Sequence, residues 1–281
     1  MALQKALFQQ FINTVQTGTT LLDDEQQLEI ENFVRLRQHS SGGFEDRGGR
    51  PDLYYSVFGF WLASALGMTD ELSRLRGYLS TLNAQELGNG VHRFSLLLLQ
   101  QTVLAKKRSA FQLLRMLLMR DFPVNMTYQV FLVLLVVDSA HGQKKWVRRL
   151  GRLLLSVYRL PKLAPCSMAA ALLVAKSNLG MTTARLEKRV LGFFQRGQGF
   201  VAFEQMHEAD LLSTGVALFA LQKAGADLRL LAPDCLGFLQ QNYSSGAFMS
   251  GTGDRERDLE YTFYGLLTLG SLAGVLNTPQ P

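Results

Sequence analysis

The 281 residues are 47% hydrophobic and 19% charged, which excludes a disordered chain and supplies enough apolar surface for a large core. The net charge of +6 comes without an RNP-like, zinc-finger or helix-turn-helix signature, which argues against nucleic acid as the partner. Two cysteines, Cys166 and Cys235, lack CxxC spacing; they form neither a disulfide framework nor a metal knuckle by pattern, and they fit a reducing compartment.

Residues 1–20 read as an amphipathic N-terminal helix, because Gln4, Lys5, Gln9 and Gln10 interrupt its apolar residues and leave no signal-peptide core. Beyond it, strand signals are nearly absent, and periodicity at i, i+3, i+4 predicts six helix pairs. In chain order they are 25–38 with 52–66, 69–82 with 91–105, 109–121 with 126–140, 143–158 with 165–178, 183–195 with 209–224, and 229–241 with 258–273. The first helix of each pair has a charged face, as in Glu25, Glu29, Glu31, Arg35 and Arg37, and the second is apolar nearly all round, as in Val57 to Ala63. A helix apolar on every side must be enclosed. The alternation therefore predicts an all-α fold, an α/α toroid of six inner/outer pairs forming a barrel, as one domain over 1–281; an open superhelical solenoid is the rival, since periodicity does not reveal closure.

Gly67 and Gly225 each stand fifteen residues after an Asp and suit helix C-caps. The basic groups Lys106-Lys107-Arg108, Lys144-Lys145 with Arg148-Arg149-Arg152, and Arg185 with Lys188-Arg189 read as solvated outer faces, with contact to anionic lipid or a diphosphate as the alternative. The most apolar run, 130–137, is far shorter than the roughly 20 residues needed to cross a bilayer, so a cytoplasmic protein is expected.

One pattern occurs three times: a Gln, a small Gly/Ser-rich turn, a Phe, and about ten residues later an Asp opening an apolar helix. It runs from Gln38 through Gly43-Phe44 to Asp52-Leu53-Tyr54-Tyr55-Ser56, from Gln195 through Gly199-Phe200 to Asp210-Leu211-Leu212-Ser213-Thr214, and from Gln241 through Ala247-Phe248 to Asp258-Leu259-Glu260-Tyr261-Thr262. Gly permits a tight turn there, and the Phe can plug the seam between neighbouring pairs.

These residues resemble the prenyltransferase and squalene-cyclase repeat, the unit of the α/α toroid. Gly42 to Ser56 is similar to the Gly-Gly-[Phe/Leu]…Asp-x-Cys-Tyr-Ser segment of protein prenyltransferase β subunits, Arg257 to Thr262 to their Arg-Asp-x-x-His-Thr segment, and Glu208-Ala209-Asp210 to the Glu-x-Asp that opens another inner helix. The resemblance implies an isoprenoid held in a central cavity. It also implies a catalytic zinc on Asp, Cys and His, but here Asp52 keeps the Asp position while Tyr54 replaces the Cys and Tyr261 the His. Protonated phenols are poor zinc donors near neutral pH, so no cofactor is identified, zinc is not expected, and Mg carried with a diphosphate is left open. The cyclase branch uses an Asp-x-Asp-Asp acid; Asp210 matches its first Asp, but Leu212 and Ser213 stand where the next two would be.

Candidate catalytic residues are Asp52, Asp258, Tyr261 and Asp210, against the plain reading that each Asp caps a helix. Closure would bring Asp52, Tyr54 and Tyr55 near Asp258, Glu260 and Tyr261, a cluster able to raise a carboxyl pKa. Candidate binders of a diphosphate are Arg47, Arg50, Arg255 and Arg257, with His92 and Arg93 joining the rim; salt bridges to Asp46, Asp254 and Glu256 are the alternative. His207, beside Glu208 and Asp210, is a weaker acid/base candidate. Tyr54, Tyr55, Phe58, Trp61 and Tyr128 lead an aromatic series on the inner helices, together with Phe60, Phe131, Phe219, Tyr261, Phe263 and Tyr264. Each taken singly reads as core; taken together they suit an isoprenoid chain or an apolar peptide, and burying about fifteen carbons would contribute at most about 12 kcal/mol before ordering costs.

Three functions follow as expectations: an isoprenoid-binding prenyltransferase-like protein that transfers or rearranges the group without zinc, with a protein or peptide acceptor left open; a non-catalytic toroid serving as binding or scaffold module; or a terpene-cyclase-like isomerase with an Asp acid.

Overall fold

The structure, a computed structural model, describes residues 6–83, 90–106, 135–140, 142 and 144–276. The chain is all-α. Its helices are α1 (Leu7–Thr19), α2 (Asp24–Leu36), α3 (Leu53–Ala65), α4 (Thr69–Ser80), α5 (Gly90–Thr102), α6 (Lys145–Val157), α7 (Cys166–Asn178), α8 (Ala184–Leu191), α9 (Leu211–Ala224), α10 (Ala232–Gln241) and α11 (Leu259–Leu276), with a hairpin of β1 (Tyr243–Ser244) and β2 (Ala247–Phe248) before α11. Residues 135–140 are also helical. The expected helix 109–121 and most of 126–140 lie outside the described residues. Helix α8 stops at Leu191, short of the expected 195, because Phe194 leaves the helix to bridge Phe200.

The described residues divide into two compact units, within Met1–Ile12 and Val34–Val147, and within Asn13–Phe33 and Arg148–Pro281. In the first, α3 packs on α4 and α5. Helix α3 is buried without interruption from Ser56 to Ala63, whereas α4 buries just Glu71, Leu75 and Leu79, one stripe at helical spacing. In the second, α9 lies between α7 and α11. Helix α11 is buried from Leu259 to Glu260 and from Thr262 to Ala273, whereas α8 buries Val190 alone. By length and composition α11 could cross a membrane, but 78% of its most apolar stretch is buried within the fold. Gly18 of α1 and Gly270 of α11 let two backbones meet: a Cβ at Gly270 would fall inside contact distance of the Thr14 carbonyl oxygen.

Helix α6 departs from expectation. An outer helix should bury its apolar stripe, yet α6 buries no residue, and Leu153 and Val157 are 65% and 73% exposed.

The threefold pattern has one physical construction. Ser56, Thr214 and Thr262 each donate a hydroxyl to the carbonyl of the Asp four residues before, at 2.6, 2.8 and 2.7 Å. The same oxygens accept the N–H of Phe44, Phe200 and Phe248, at 2.9, 3.0 and 3.3 Å. A buried backbone donor in each turn is thereby satisfied by the helix that follows it. The rings of Phe44 and Phe248 lie on Gly59 and Gly265, seven residues into α3 and α11 after the Asp, where a side chain would collide with them. Gly67 and Gly225 follow α3 and α9 in the left-handed region, as C-cap glycines do.

The first and last turns also grip the half-exposed helices α4 and α2 in a common register. Gly42 lies against the carbonyl of Arg74, the sixth residue of α4, and Gly246 against that of Glu29, the sixth residue of α2. Around the first turn, Gln38 Nε2 donates to the Glu71 carbonyl at 2.8 Å; around the last, Tyr243 donates its hydroxyl to Glu29 Oε2 at 2.7 Å.

Candidate functional site

Asp52, Asp210 and Asp258 have the same first duty. Each turns one carboxylate oxygen onto the N–H three residues ahead, that of Tyr55, Ser213 or Tyr261, at 2.9, 2.7 and 2.8 Å, and so satisfies a donor that the first turn of a helix leaves open. The plain capping role is therefore present in all three. What distinguishes Asp52 from Asp210 is the second oxygen.

At Asp52 that oxygen lies 2.9 Å from His92 Nε2 in the first turn of α5. Burial pushes the Asp52 carboxyl up, but the bond from His92 and the Tyr55 N–H outweigh it and leave the group below its ordinary value of 3.8. His92 is held above its ordinary 6.5, mainly by the hydrogen bond to Asp52, against partial burial. The imidazole is 37% exposed, so a free ligand can reach it. With Nε2 committed to the carboxylate, Nδ1 is the nitrogen that remains: an acceptor when the ring is neutral, a donor when it is charged. The pair has the composition of a general acid/base couple. Tyr78 of α4 belongs to the same neighbourhood: burial raises its phenol, and the negative charge of Asp52 raises it further. Nothing in the sequence marks Tyr78, which sits on an otherwise ordinary half-exposed helix.

At Asp210 the second oxygen is buried and has no hydrogen-bond partner among the described residues. Burial pushes this carboxyl up, beyond what the bonds from Ser213 and Leu212 recover. Cys166 shares the site; burial, then the Asp210 charge, keeps its thiol protonated. Asp258 is buried at the start of α11, and its backbone carbonyl serves Thr262.

The arginines sit as follows. Arg50 reaches Asp46 at 3.5 Å with 84% of its side chain exposed, a geometry worth little in water; Asp46 also accepts the N–H groups of Gly48 and Arg50. Arg47 and Arg255 are exposed, Arg93 is half-buried, and Arg257 donates to the Ser245 carbonyl at 3.3 Å. His207 is exposed, and its carbonyl accepts from Gln198 at 3.3 Å. Asp52, His92 and Arg50 belong to the first unit, and Asp210, Asp258, Tyr261, Arg255 and Arg257 to the second.

Four aromatic rings form a chain of contacts: Tyr54 meets Phe58 at 5.1 Å, Phe58 meets Trp61 at 5.6 Å, and Trp61 meets Phe11 of α1 at 5.4 Å. Tyr55 joins at Tyr54, 5.8 Å away. Phe58 and Trp61 are buried, while Tyr54 and Tyr55 are half-buried at the His92 end of α3. Tyr128 and Phe131 lie outside the described residues. A depression lined by Phe60, Thr69, Leu72, Ser73, Arg76, Thr102 and Val103 opens at the other end of α5, away from His92.

Among the described residues no group of three or more His, Cys, Asp or Glu side chains is placed to hold a metal ion. The zinc that the resemblance implies does not fit: both oxygens of Asp52 are engaged, and the other two positions carry phenols. No family model, no curated protein and no solved structure matches the chain.

Proposed function

We propose that this chain is an α/α toroid of the prenyltransferase and squalene-cyclase kind that binds an isoprenoid diphosphate and transfers or rearranges the prenyl group without zinc, in the cytoplasm. The observation that carries the reading is the 2.9 Å approach of His92 Nε2 to Asp52 Oδ2, which joins a helix-capping carboxylate to a part-exposed imidazole. Closure is supported by the common register of the turns. The first turn rests on the outer helix that follows it, and the last rests in the same way on α2, the first outer helix of the chain.

In this reading His92 exchanges a proton through Nδ1 with the acceptor or with the departing diphosphate, while Asp52 fixes the ring and balances its charge. Guanidinium groups suit phosphate oxygens, and Arg50, extended into solvent from a Gly-rich loop, is the first candidate to take them, with Arg47 of the same loop and Arg93, next to His92 in sequence, as the further candidates. Any Mg would be carried in with the diphosphate rather than held by the protein's own side chains. Tyr54 and Tyr55 offer half-buried aromatic surface in the first turn of α3, which Asp52 caps.

Calorimetric titration with farnesyl and geranylgeranyl diphosphate tests the reading. Saturable binding is expected, weakened at least about tenfold in Arg50→Ala through the loss of one charge-assisted contact. His92→Gln should keep binding and lose turnover. Absence of binding to either diphosphate, or turnover unchanged in Asp52→Asn, overturns it.

Two observations favour other readings. Phe58 and Trp61 are spent on packing, which suits a toroid kept as a binding or scaffold module. Asp210, buried with an orphan oxygen and a raised pKa, suits a cyclase-like isomerase in which that carboxyl is the acid. Product analysis after incubation with isoprenoid separates all three, since the module yields no product and an isomerase needs Asp210 rather than His92.

A further inference from the structure

Helix α6 is built to lie on something. Its thirteen residues make it about 20 Å long, too short to span a bilayer. One side is fastened to the end of α7: Arg148 Nη2 donates to the Asn178 carbonyl at 2.9 Å, Arg152 Nε to the Leu179 carbonyl at 2.8 Å, and Gly151 faces the Leu179 side chain. The rest is open. Trp146, Leu150, Leu153, Leu154 and Val157 recur at helical spacing on one face, every one of them exposed, and Leu163 is 74% exposed in the loop that follows. Lys144, Lys145, Arg149, Arg159 and Lys162 are exposed along or just beyond the same helix. No Asp or Glu occurs between Asp138 and Glu187.

We infer that α6 is an interfacial helix that seats this protein on an anionic lipid bilayer. Charge selects the occupant. A face of leucines rimmed by cations that make no ion pair among the described residues, with Trp146 in its first turn, matches a surface that offers acyl chains below and negative headgroups around them. A second copy of this chain would present the same cations and repel them. The long Lys and Arg side chains can extend to headgroups while their stems cover the apolar face. The proposal does not depend on the reading of Asp52 and His92, and it holds for a binder as for a catalyst.

Sedimentation of the full chain with phosphatidylcholine vesicles, with and without phosphatidylglycerol, tests it. The protein is expected to sediment with the anionic vesicles and to be released by high salt. Arg149→Gln with Arg159→Gln should weaken binding about 25-fold, at about fivefold per cation. Leu153→Glu with Val157→Glu should abolish binding while leaving the circular dichroism spectrum and melting temperature unchanged, because both residues are exposed. No sedimentation of the unaltered chain with anionic vesicles overturns the proposal. So does equal sedimentation of the variants, or a concentration-dependent dimer that Leu153→Glu with Val157→Glu dissolves, which would make a second copy the occupant.

Discussion

Asp52 and His92 stand forty positions apart in sequence and 2.9 Å apart in space, and the same carboxylate accepts the Tyr55 amide with its other oxygen. One side chain thus caps α3 and anchors the first turn of α5. The pH response follows from the two shifts. His92, raised above its ordinary 6.5, adds stability that is complete below that value and lost as pH rises through the folded pKa. Asp52, lowered below 3.8, adds stability that is complete above that value and lost as pH falls through the folded pKa. The pair is therefore at full strength between 3.8 and 6.5. Exposure of the imidazole keeps the effect below about 1 kcal/mol. Thermal melts of the unaltered chain and His92→Gln should differ most in that window and converge above it; a constant difference from pH 4 to pH 9 would mean that the ion pair contributes nothing.

The three hydroxyls that join each turn to its helix give a second expectation. Removing one leaves a buried Phe N–H with no acceptor, at a cost of about 1–3 kcal/mol. Ser56→Ala, Thr214→Val and Thr262→Val should each lower urea stability by that amount. Ser56→Thr should be tolerated, since it restores the residue found at the other two positions. Tolerance of all three deletions would show that the shared geometry is incidental.

Much of this construction was legible in the sequence because it is local. The Asp that opens a helix, the hydroxyl four residues on and the Gly that ends it all act within one or two turns, so α3, α9 and α11 start within two residues of the expected positions. Which oxygen of which Asp finds a partner is not local. Nothing near Asp52 announces His92, and nothing near Glu71 announces that this carboxylate is buried against Arg35 at 3.1 Å and Arg74 at 3.6 Å. The repeated Gln was misleading as a common part: Gln38 is buried and grips α4, whereas Gln241 is exposed. Periodicity gave the apolar stripe of α6 but not whether anything covers it, since amphipathicity says that a face is greasy and not what it meets.

Asp210 offers a test opposite in sign to Asp52. Its carboxyl is raised by burial, so ionising it opposes folding, and stability should fall as pH rises from 3.8 through the folded pKa. Asp210→Asn keeps an acceptor for the Ser213 N–H and removes the charge. The variant should match the unaltered chain near pH 3 and become the more stable of the two by about pH 7, as followed by urea unfolding. A variant that is less stable at neutral pH would mean that the ionised form is welcome in the fold.

The glycine notches beneath Phe44 and Phe248 supply the sharpest contrast. Alanine is favoured over glycine in a helix interior by about 1 kcal/mol, so a glycine inside a buried helix needs a reason. At Gly59 and Gly265 the reason is the ring lying on the helix: a Cβ at Gly265 would come within 2.5 Å of Phe248, and Gly59 is tighter still against Phe44. Gly77, in α4, has open space where its Cβ would go. Gly77→Ala should therefore raise stability by up to about 1 kcal/mol, whereas Gly59→Ala and Gly265→Ala should lower it by about 1–3 kcal/mol through overpacking. Shrinking the ring should restore part of the loss, so Phe44→Leu combined with Gly59→Ala is expected to be less harmful than the sum of the two changes, a coupling that a double-mutant cycle reads directly. If Gly59→Ala stabilises as Gly77→Ala does, or if the cycle returns no coupling, then Phe44 does not depend on the notch, and the shared Phe-on-glycine contact is no structural bond between turn and helix.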